Sequence, residues 1–188
     1  MSAAAVVLAA GGSKRLGEPK QLVRLGGETL LERAVRVACE TGCSPVVVVL
    51  GAEYERVLAG CSLGNVVTVI NDEWREGMGS SIRLGVNAVC NVAEDVEGVV
   101  VMTCDQPSVT ADHLRRLMAE REVKASRYAA RNGVPVFFPK GHFGALMSLS
   151  GDAGARELLQ NATCEDLPGG DLDIDTADDL KRAQELFG

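Results

Sequence analysis

The stretch that decides the fold of this 188-residue chain is AAAVVLAAGGSKRLGEPK, at residues 3–20. Residues 3–8 form a short, continuous apolar run, which is typical of a strand buried on both faces of a parallel sheet. Small residues and two glycines follow, and then three cations within seven residues: Lys14, Arg15 and Lys20. We therefore predict a buried first strand and, after it, a loop that binds an anionic ligand.

Valine-rich apolar runs recur along the chain and predict further buried strands. They lie at residues 46–50, 66–70, 99–102 and 134–138. Helical patterns lie between them, and clear helix starts are predicted at Thr29, Thr110 and Thr176. This alternation predicts an α/β fold of three layers, a mainly parallel sheet with helices on both faces. After Arg121, prolines and glycines predict an irregular, partly antiparallel insertion.

Length and composition favour a single domain over residues 1–188, with 46% hydrophobic residues to build its core. The net charge of −7 argues against a general nucleic-acid binder, which needs a basic face. The apolar N-terminal run is too short for a membrane span and lacks the basic region of a signal peptide. Six cysteines without a CxxC pair indicate reduced thiols in a cytoplasmic protein.

The loop after the first strand has the composition of a phosphate cradle. Small residues let the backbone approach a triphosphate, and the cations neutralise charge that backbone dipoles alone do not. The loop is neither a Walker A motif nor a GxGxxG dinucleotide fingerprint. The simpler alternative is a glycine turn with solvated lysines.

The pattern Leu8-Ala9-Ala10-Gly11-x-Ser13-x-Arg15-x-Gly17-x-x-Lys20 resembles the signature loop of the molybdopterin nucleotidyltransferase family. The resemblance implies a Rossmann-like nucleotidyltransferase fold in which this loop wraps the nucleotide. The residues it assigns to nucleotide binding here are Leu8, Ala9, Ala10, Gly11, Gly12, Ser13 and Lys20. Arg15 and Lys20 are placed on the phosphates.

Acidic residues follow in two distant segments. Asp105 comes directly after the strand predicted at residues 99–103, and Asp173 and Asp175 alternate in a short strand predicted at residues 172–176. Magnesium takes one or two protein carboxylates and fills its other positions with phosphate and water oxygens. The family resemblance extends to both segments and implies that Asp105 and Asp175 bind Mg²⁺, with the role of Asp173 undecided. Alternatively, these aspartates are turn or helix-capping residues.

A third glycine-containing segment, residues 77–81, precedes a predicted helix. A helix N-terminus can hold a ligand through its backbone amides. The family has a similar segment near the nucleotide, which implies contacts from Gly79, Ser80 and Ser81. Capping of the helix by Ser80 or Ser81 is an equally good explanation.

The resemblance also points to regions that handle the acceptor, at residues 133–135 and 151–156. Within this reading Trp74 is a candidate for stacking on a pterin ring, and Arg156 for holding the acceptor phosphate. Both also have plain explanations, Trp74 as a rim or core residue and Arg156 as a solvated cation on a helix.

Together these features imply a Mg²⁺-dependent enzyme with Arg15, Lys20 and Asp105 as catalytic residues. It would transfer a nucleoside monophosphate from a triphosphate to molybdopterin and release pyrophosphate. Ala10 favours CTP over GTP, because relatives that use CTP carry Leu-Ala-Ala-Gly where those that use GTP carry Leu-Ala-Gly-Gly. Two alternatives stay open: transfer to another phosphorylated molecule such as a sugar phosphate, and a redox or non-catalytic protein of this fold that serves a molybdenum hydroxylase.

Overall fold

A computed structural model describes residues 2–151, 157–160 and 162–188. Its strands are β1 (Ala3–Ala9), β2 (Arg24–Leu25), β3 (Glu28–Thr29), β4 (Val46–Leu50), β5 (Val67–Ile70), β6 (Gly98–Thr103), β7 (Lys124–Tyr128), β8 (Arg131–Pro139) and β9 (Thr163–Asp166). Its helices are α1 (Leu30–Glu40), α2 (Tyr54–Gly60), α3 (Met78–Val92), α4 (Ala111–Met118), α5 (Phe143–Met147) and α6 (Ala177–Phe187).

Within these residues the main sheet has seven strands in the order β5-β4-β1-β6-β8-β7-β9, and β2 pairs with β3 in a separate ribbon. Strands β5, β4, β1 and β6 are mutually parallel. Strand β8 runs antiparallel to both β6 and β7, while β9 is parallel to β7. The predicted α/β fold is thus confirmed, including the antiparallel excursion after Arg121.

Both faces of the sheet are covered, because successive residues of a strand point to opposite sides. Val7 and Val48 pack with apolar residues of α1 and α4 on one face. Val6 and Val49 pack with α3 and α5 on the other. Helix α3 approaches closely through Gly85, where an added Cβ would collide with Val6. The three-layer arrangement places the fully buried β1 at the centre of the molecule.

The predicted helix starts are confirmed at all three threonines. Thr29 caps α1 and forms a capping box with Glu32, and the Thr110 hydroxyl accepts a hydrogen bond from a first-turn amide of α4. Thr176 caps α6 in a second capping box, with Asp179. In the described ranges no helix is long and apolar enough to cross a bilayer, and all six cysteines are free thiols.

The prediction of a strand at residues 172–176 is wrong, because the segment adopts no regular structure. Its alternating apolar residues, Leu172 and Ile174, pack with Leu25, Leu30 and α6 in a third cluster beside the main sheet. The Ile174 amide donates to the backbone carbonyl of Asp105, at 3.0 Å, instead of to a strand neighbour. The alternation therefore reflects packing against the β2-β3 ribbon.

His113 of α4 is buried, with 1% of its surface exposed. Its Nε2 lies 2.8 Å from the Ser126 hydroxyl, which donates its single proton to the Pro135 carbonyl at 2.6 Å. Nε2 must therefore be the donor in this contact, a role that the neutral and the protonated imidazole can both fill. Burial, reinforced by the positive charge of Arg116, lowers the pKa of His113 to about 4.

This buried imidazole predicts a loss of stability in mild acid. The unfolded chain titrates His113 near pH 6.5, whereas the folded protein resists protonation until about pH 4. The stabilisation by the neutral imidazole is thus fully present above pH 6.5. As the pH falls towards 4, the free energy of unfolding decreases by about 2–3 kcal/mol. Urea unfolding across this range should show a shallower pH dependence for His113→Gln than for the wild type. Equal slopes would contradict the assignment.

Candidate active site

The loop that leaves β1 is closed by Ser13. The Ser13 hydroxyl accepts a hydrogen bond from the Lys20 amide at 2.8 Å, and the Ser13 carbonyl accepts from the amides of Leu16 and Gly17. In the described part of the chain, the amides of Gly11, Gly12 and Ser13 itself meet no acceptor. Successive backbone amides left unpaired in this way form an anion-binding concavity.

Gln21 fixes the start of the same loop, a role that no motif in the sequence indicates. Its side chain is 1% exposed, and Nε2 donates to the carbonyls of Ala9 and Gly11 at 2.7 and 3.1 Å. A buried glutamine must find such partners to offset the cost of its burial. Gln21 therefore holds the Ala9 and Gly11 carbonyls, and with them the start of the loop, in place.

Three distant segments meet beside this loop. The Lys20 ammonium lies 2.5 Å from Asp105 Oδ2 and 2.8 Å from Asp175 Oδ1. The Arg15 guanidinium contacts the other oxygen of Asp175 at 2.7 Å. These four residues, predicted from the sequence to share one site, are brought together by the structure. Their individual roles stay predictions.

Burial and charge set the protonation states in the cluster. Burial disfavours the charged form of Lys20, but the charge of Asp105 and hydrogen bonds to Asp105 and Asp175 outweigh it and raise the pKa of the lysine. Burial, together with the charges of Asp105 and Asp175, raises the pKa of Asp173 to about 6. Burial raises the pKa of Cys104 to about 12, so this thiol is neutral and is not a nucleophile.

The donor set fits a magnesium ion. Carboxylate oxygens of Asp105 and Asp175 both approach one cationic atom, Lys20 Nζ, so the two side chains converge on a position that suits positive charge. Among the described residues no group of three or more His, Cys, Asp or Glu is arranged to hold a metal. Two carboxylates alone are nevertheless the usual protein share for Mg²⁺, whose other ligands are water and substrate phosphate.

Two adjoining cavities open at this edge of the sheet. The inner cavity, of about 600 Å³, is lined by the β1 loop, Lys20, Ser81, Cys104 and Asp105 among others. The outer cavity, of about 790 Å³, is lined by Gly12 and Ser13 and by residues 51–56, 71–72 and 74–75. Lys14, Trp74 and Arg75 line both. Sequence analysis missed the segment after β4, residues 51–56, which lacks a charge or glycine pattern as clear as that of the first loop; from the segment after β5 it singled out Trp74.

Trp74 forms a wall shared by the two cavities. The Arg75 guanidinium lies over its indole ring, 4.4 Å from the ring centroid. On the loop side, a Cβ added to Gly12 would lie 3.1 Å from the edge of the ring. Trp74 is thus half-buried at the rim of both cavities, packed against the core cluster of the α3 face. Stacking on a pterin stays a prediction.

The segment before α3 has a different organisation from the one predicted. The helix begins after Gly77, and no side chain caps it, so capping by Ser80 or Ser81 is wrong. The Asn71 amide donates to both serine hydroxyls at 2.9 Å, which links β5 to α3.

The three residues of this segment that were predicted to contact the nucleotide, Gly79, Ser80 and Ser81, do not line one common cavity. Ser81 lines the inner cavity and Ser80 a separate third cavity. Gly79 packs against Gly151, whose carbonyl accepts its amide at 3.0 Å. Of the predicted acceptor regions, Gly133 packs on the Tyr128 ring, and Arg156 lies outside the described residues.

The loop after β1 and Asp105 both lie in a segment that matches a known family. Residues 5–167 match the model of the MobA-like NTP transferase domain. The chain belongs to this family. The predicted resemblance to molybdopterin nucleotidyltransferases is thereby confirmed at the level of the family.

Relatives of this MobA-like chain carry different names. It is 34% identical over 196 residues, 94% of each chain, to nicotine blue oxidoreductase of Paenarthrobacter nicotinovorans. It is 36% identical over 110 residues to a probable molybdenum cofactor guanylyltransferase of Opitutus terrae, a match that spans 57% of this chain and 50% of that protein. The structure of Rv0371C from Mycobacterium tuberculosis H37Rv in complex with manganese superposes with a TM-score of 0.78 at 31% identity, covering 98% of this chain and 99% of that one.

Gly51 lies where the loop after β1 and Trp74 pack closely together, and we predict that no larger residue fits there without a backbone shift. A Cβ at this position would lie 2.8 Å from the Ala10 carbonyl oxygen and 2.9 Å from Cβ of Trp74. Because the backbone must shift to admit it, Gly51→Ala should lower the free energy of unfolding by about 1–3 kcal/mol, measured with urea. Gly144→Ala, where an added Cβ meets nothing within 4 Å, is the control and should cost nothing. Equal stability of the two variants would contradict the prediction.

Proposed function

We propose that this chain is a Mg²⁺-dependent cytidylyltransferase that transfers CMP from CTP to a molybdopterin-type acceptor and releases pyrophosphate. The observation that carries the proposal is the contact of Lys20 with both Asp105 and Asp175 at the edge of the glycine loop. Membership of the MobA-like NTP transferase family supports nucleotidyl transfer. The choice of CTP rests on Ala10, and the acceptor on the resemblance of the loop.

The triphosphate fits the inner cavity in this proposal. The unpaired amides of Gly11, Gly12 and Ser13 would donate to phosphate oxygens, and the side chains of Lys20 and Arg15 would neutralise their charge. The nucleoside would then extend into the outer cavity, which the loop also lines. A triphosphate so placed lies beside Asp105 and Asp175.

Asp105 and Asp175 would hold Mg²⁺, which when bound offsets negative charge on the phosphates and orients them. The manganese complex of Rv0371C supports the use of a divalent cation by proteins of this fold.

The acceptor needs no general base from the protein. The second ionisation of a phosphate monoester lies near pH ~6, so its oxygen is already a nucleophile at neutral pH. It would form the new bond to the α-phosphorus as the bond to pyrophosphate breaks. Lys20 and Arg15 would stabilise the charge that develops on the leaving pyrophosphate, and the loop would keep the reacting atoms in line. The neutral, buried Cys104 has no part in this chemistry.

Removal of either central charge tests the mechanism. We expect Lys20→Ala to lower turnover by about 10²–10³-fold, because a positioned donor to the transition state is lost. Asp105→Ala should abolish metal-dependent turnover. The measurement is pyrophosphate release with CTP, molybdopterin and Mg²⁺, with circular dichroism to establish folding. Lys181→Ala on the exposed face of α6 is the control, and unchanged turnover in a site variant would remove that residue from its role.

The nucleoside preference is tested by calorimetric titration with CTP and GTP in the presence of Mg²⁺. We expect CTP to bind more tightly, by a factor of about 10, because one methyl group in a pocket discriminates by about 1–3 kcal/mol. Ala10→Gly should reduce the difference if the methyl group is its source. Tighter binding of GTP, as the name of the guanylyltransferase relative would suggest, overturns the preference.

A redox activity is the second candidate function. It is favoured by the 34% identity to nicotine blue oxidoreductase, which extends over nearly the whole chain. The loop after β1 lacks the GxGxxG pattern of dinucleotide-binding domains, which weighs against it. The same titration with NADPH distinguishes the candidates. Tight NADPH binding without CTP binding would replace the transferase with a reductase, and absence of NADPH binding would exclude the reductase.

A further inference from the structure

Gln106, the residue after Asp105, is buried and connects three parts of the molecule. It is 5% exposed. Its Nε2 donates to the Tyr128 hydroxyl at 3.2 Å and to the Gly170 carbonyl at 3.1 Å. Its Oε1 accepts from the Thr103 hydroxyl at 3.3 Å. One amide therefore links the end of β6, strand β7 and the turn that precedes Asp173.

That turn leads into the segment that carries Asp175. Residues 172–176 belong to no strand, so no sheet ladder fixes their position relative to Asp105. The amides of Gly170 and Leu172 bond only within the turn, to Leu167 and Gly169. Among the described residues, the backbone of this segment is joined to the Asp105 region by the Ile174 amide, bonded to the Asp105 carbonyl, and by the Gly170 carbonyl, bonded to Gln106. Side chains add the bridge of Lys20 between Asp105 and Asp175, and a hydrogen bond between Gln106 and Asp173.

We infer that Gln106 is a positioning residue that sets the distance between the Asp105 and Asp175 carboxylates, and thereby the affinity of the site for a divalent cation. The inference rests on the metal site of the proposed function. The hydrogen bonds of Gln106 go to Thr103, Tyr128, Gly170 and Asp173. Gln106 acts by holding the Gly170 turn, so that Asp175 reaches the point on which Asp105 also converges.

The physical basis is the cost of an unpaired buried polar group. Without the Gln106 amide, the Gly170 carbonyl loses its buried donor, and the turn must move towards water to replace it. A shift of this turn carries Asp173 and Asp175 with it. Residues that orient metal ligands in this way change metal affinity by about 10–100-fold when they are replaced.

The test is the dissociation constant of Mn²⁺ added alone to the full chain, measured by electron paramagnetic resonance. We expect Gln106→Met, which has similar length but no donor, to weaken Mn²⁺ binding by about 10–100-fold. Gln106→Asn keeps the amide but is one methylene shorter, so it should weaken binding in the same direction. The shorter variant decides the question if Gln106→Met does not fold.

Two control variants distinguish an effect of Gln106 on the position of the carboxylates from a general loss of stability and from the loss of a metal ligand. Ser126→Ala removes two other buried hydrogen bonds, to Pro135 and to His113, and should lower stability without changing the Mn²⁺ dissociation constant. Asp105→Asn should abolish binding.

The outcomes separate the inference from the proposed function. Wild-type affinity in folded Gln106 variants, with Asp105-dependent binding intact, would overturn the inference alone. An equal loss in Ser126→Ala would overturn it as well, since the effect would then be one of general stability. Absence of Mn²⁺ binding to the wild type would overturn both the inference and the metal-dependent function.

Discussion

The contact of one partly buried ammonium group with two carboxylates is the constraint on which the rest of the site depends. Lys20 arrives from the loop after β1, Asp105 from the end of β6, and Asp175 from the segment before α6. Strands β1 and β6 are parallel neighbours, so their carboxyl ends meet at one edge of the sheet. The sheet order brings the first two charges together, and packing of Leu172 and Ile174 beside the β2-β3 ribbon adds the third.

An acidic protein can bind a triphosphate because charge is arranged locally. The chain carries a net charge of −7, yet the first loop concentrates Lys14, Arg15 and Lys20 beside amides that meet no acceptor. Long-range repulsion between exposed charges is largely screened over about 8–10 Å in physiological salt, whereas contacts within a partly buried site are screened much less. The arrangement of charges at the sheet edge, and not their sum, therefore decides what binds.

The sequence predicted what depends on local chemistry and missed what depends on distant partners. The apolar run of β1, the capping threonines and the glycine loop each contain their own signal within a few residues. Gln21 and Asn71 do not, because nothing near them in sequence shows that they are buried or what they bond. The alternation of apolar and acidic residues at 172–176 predicts a strand, but packing beside the β2-β3 ribbon produces the same two-residue period as a sheet. Likewise, Ser80 and Ser81 resemble caps in sequence but are bonded by Asn71 from another element.

The position of Trp74 ties the two halves of the cleft together. Its indole borders the inner cavity on one side and the outer cavity on the other, and Gly12 and Gly51 pack closely against it. A tilt of this ring enlarges one compartment at the expense of its neighbour, and a change in its size alters both. The shapes of the two compartments are consequently linked through this one side chain.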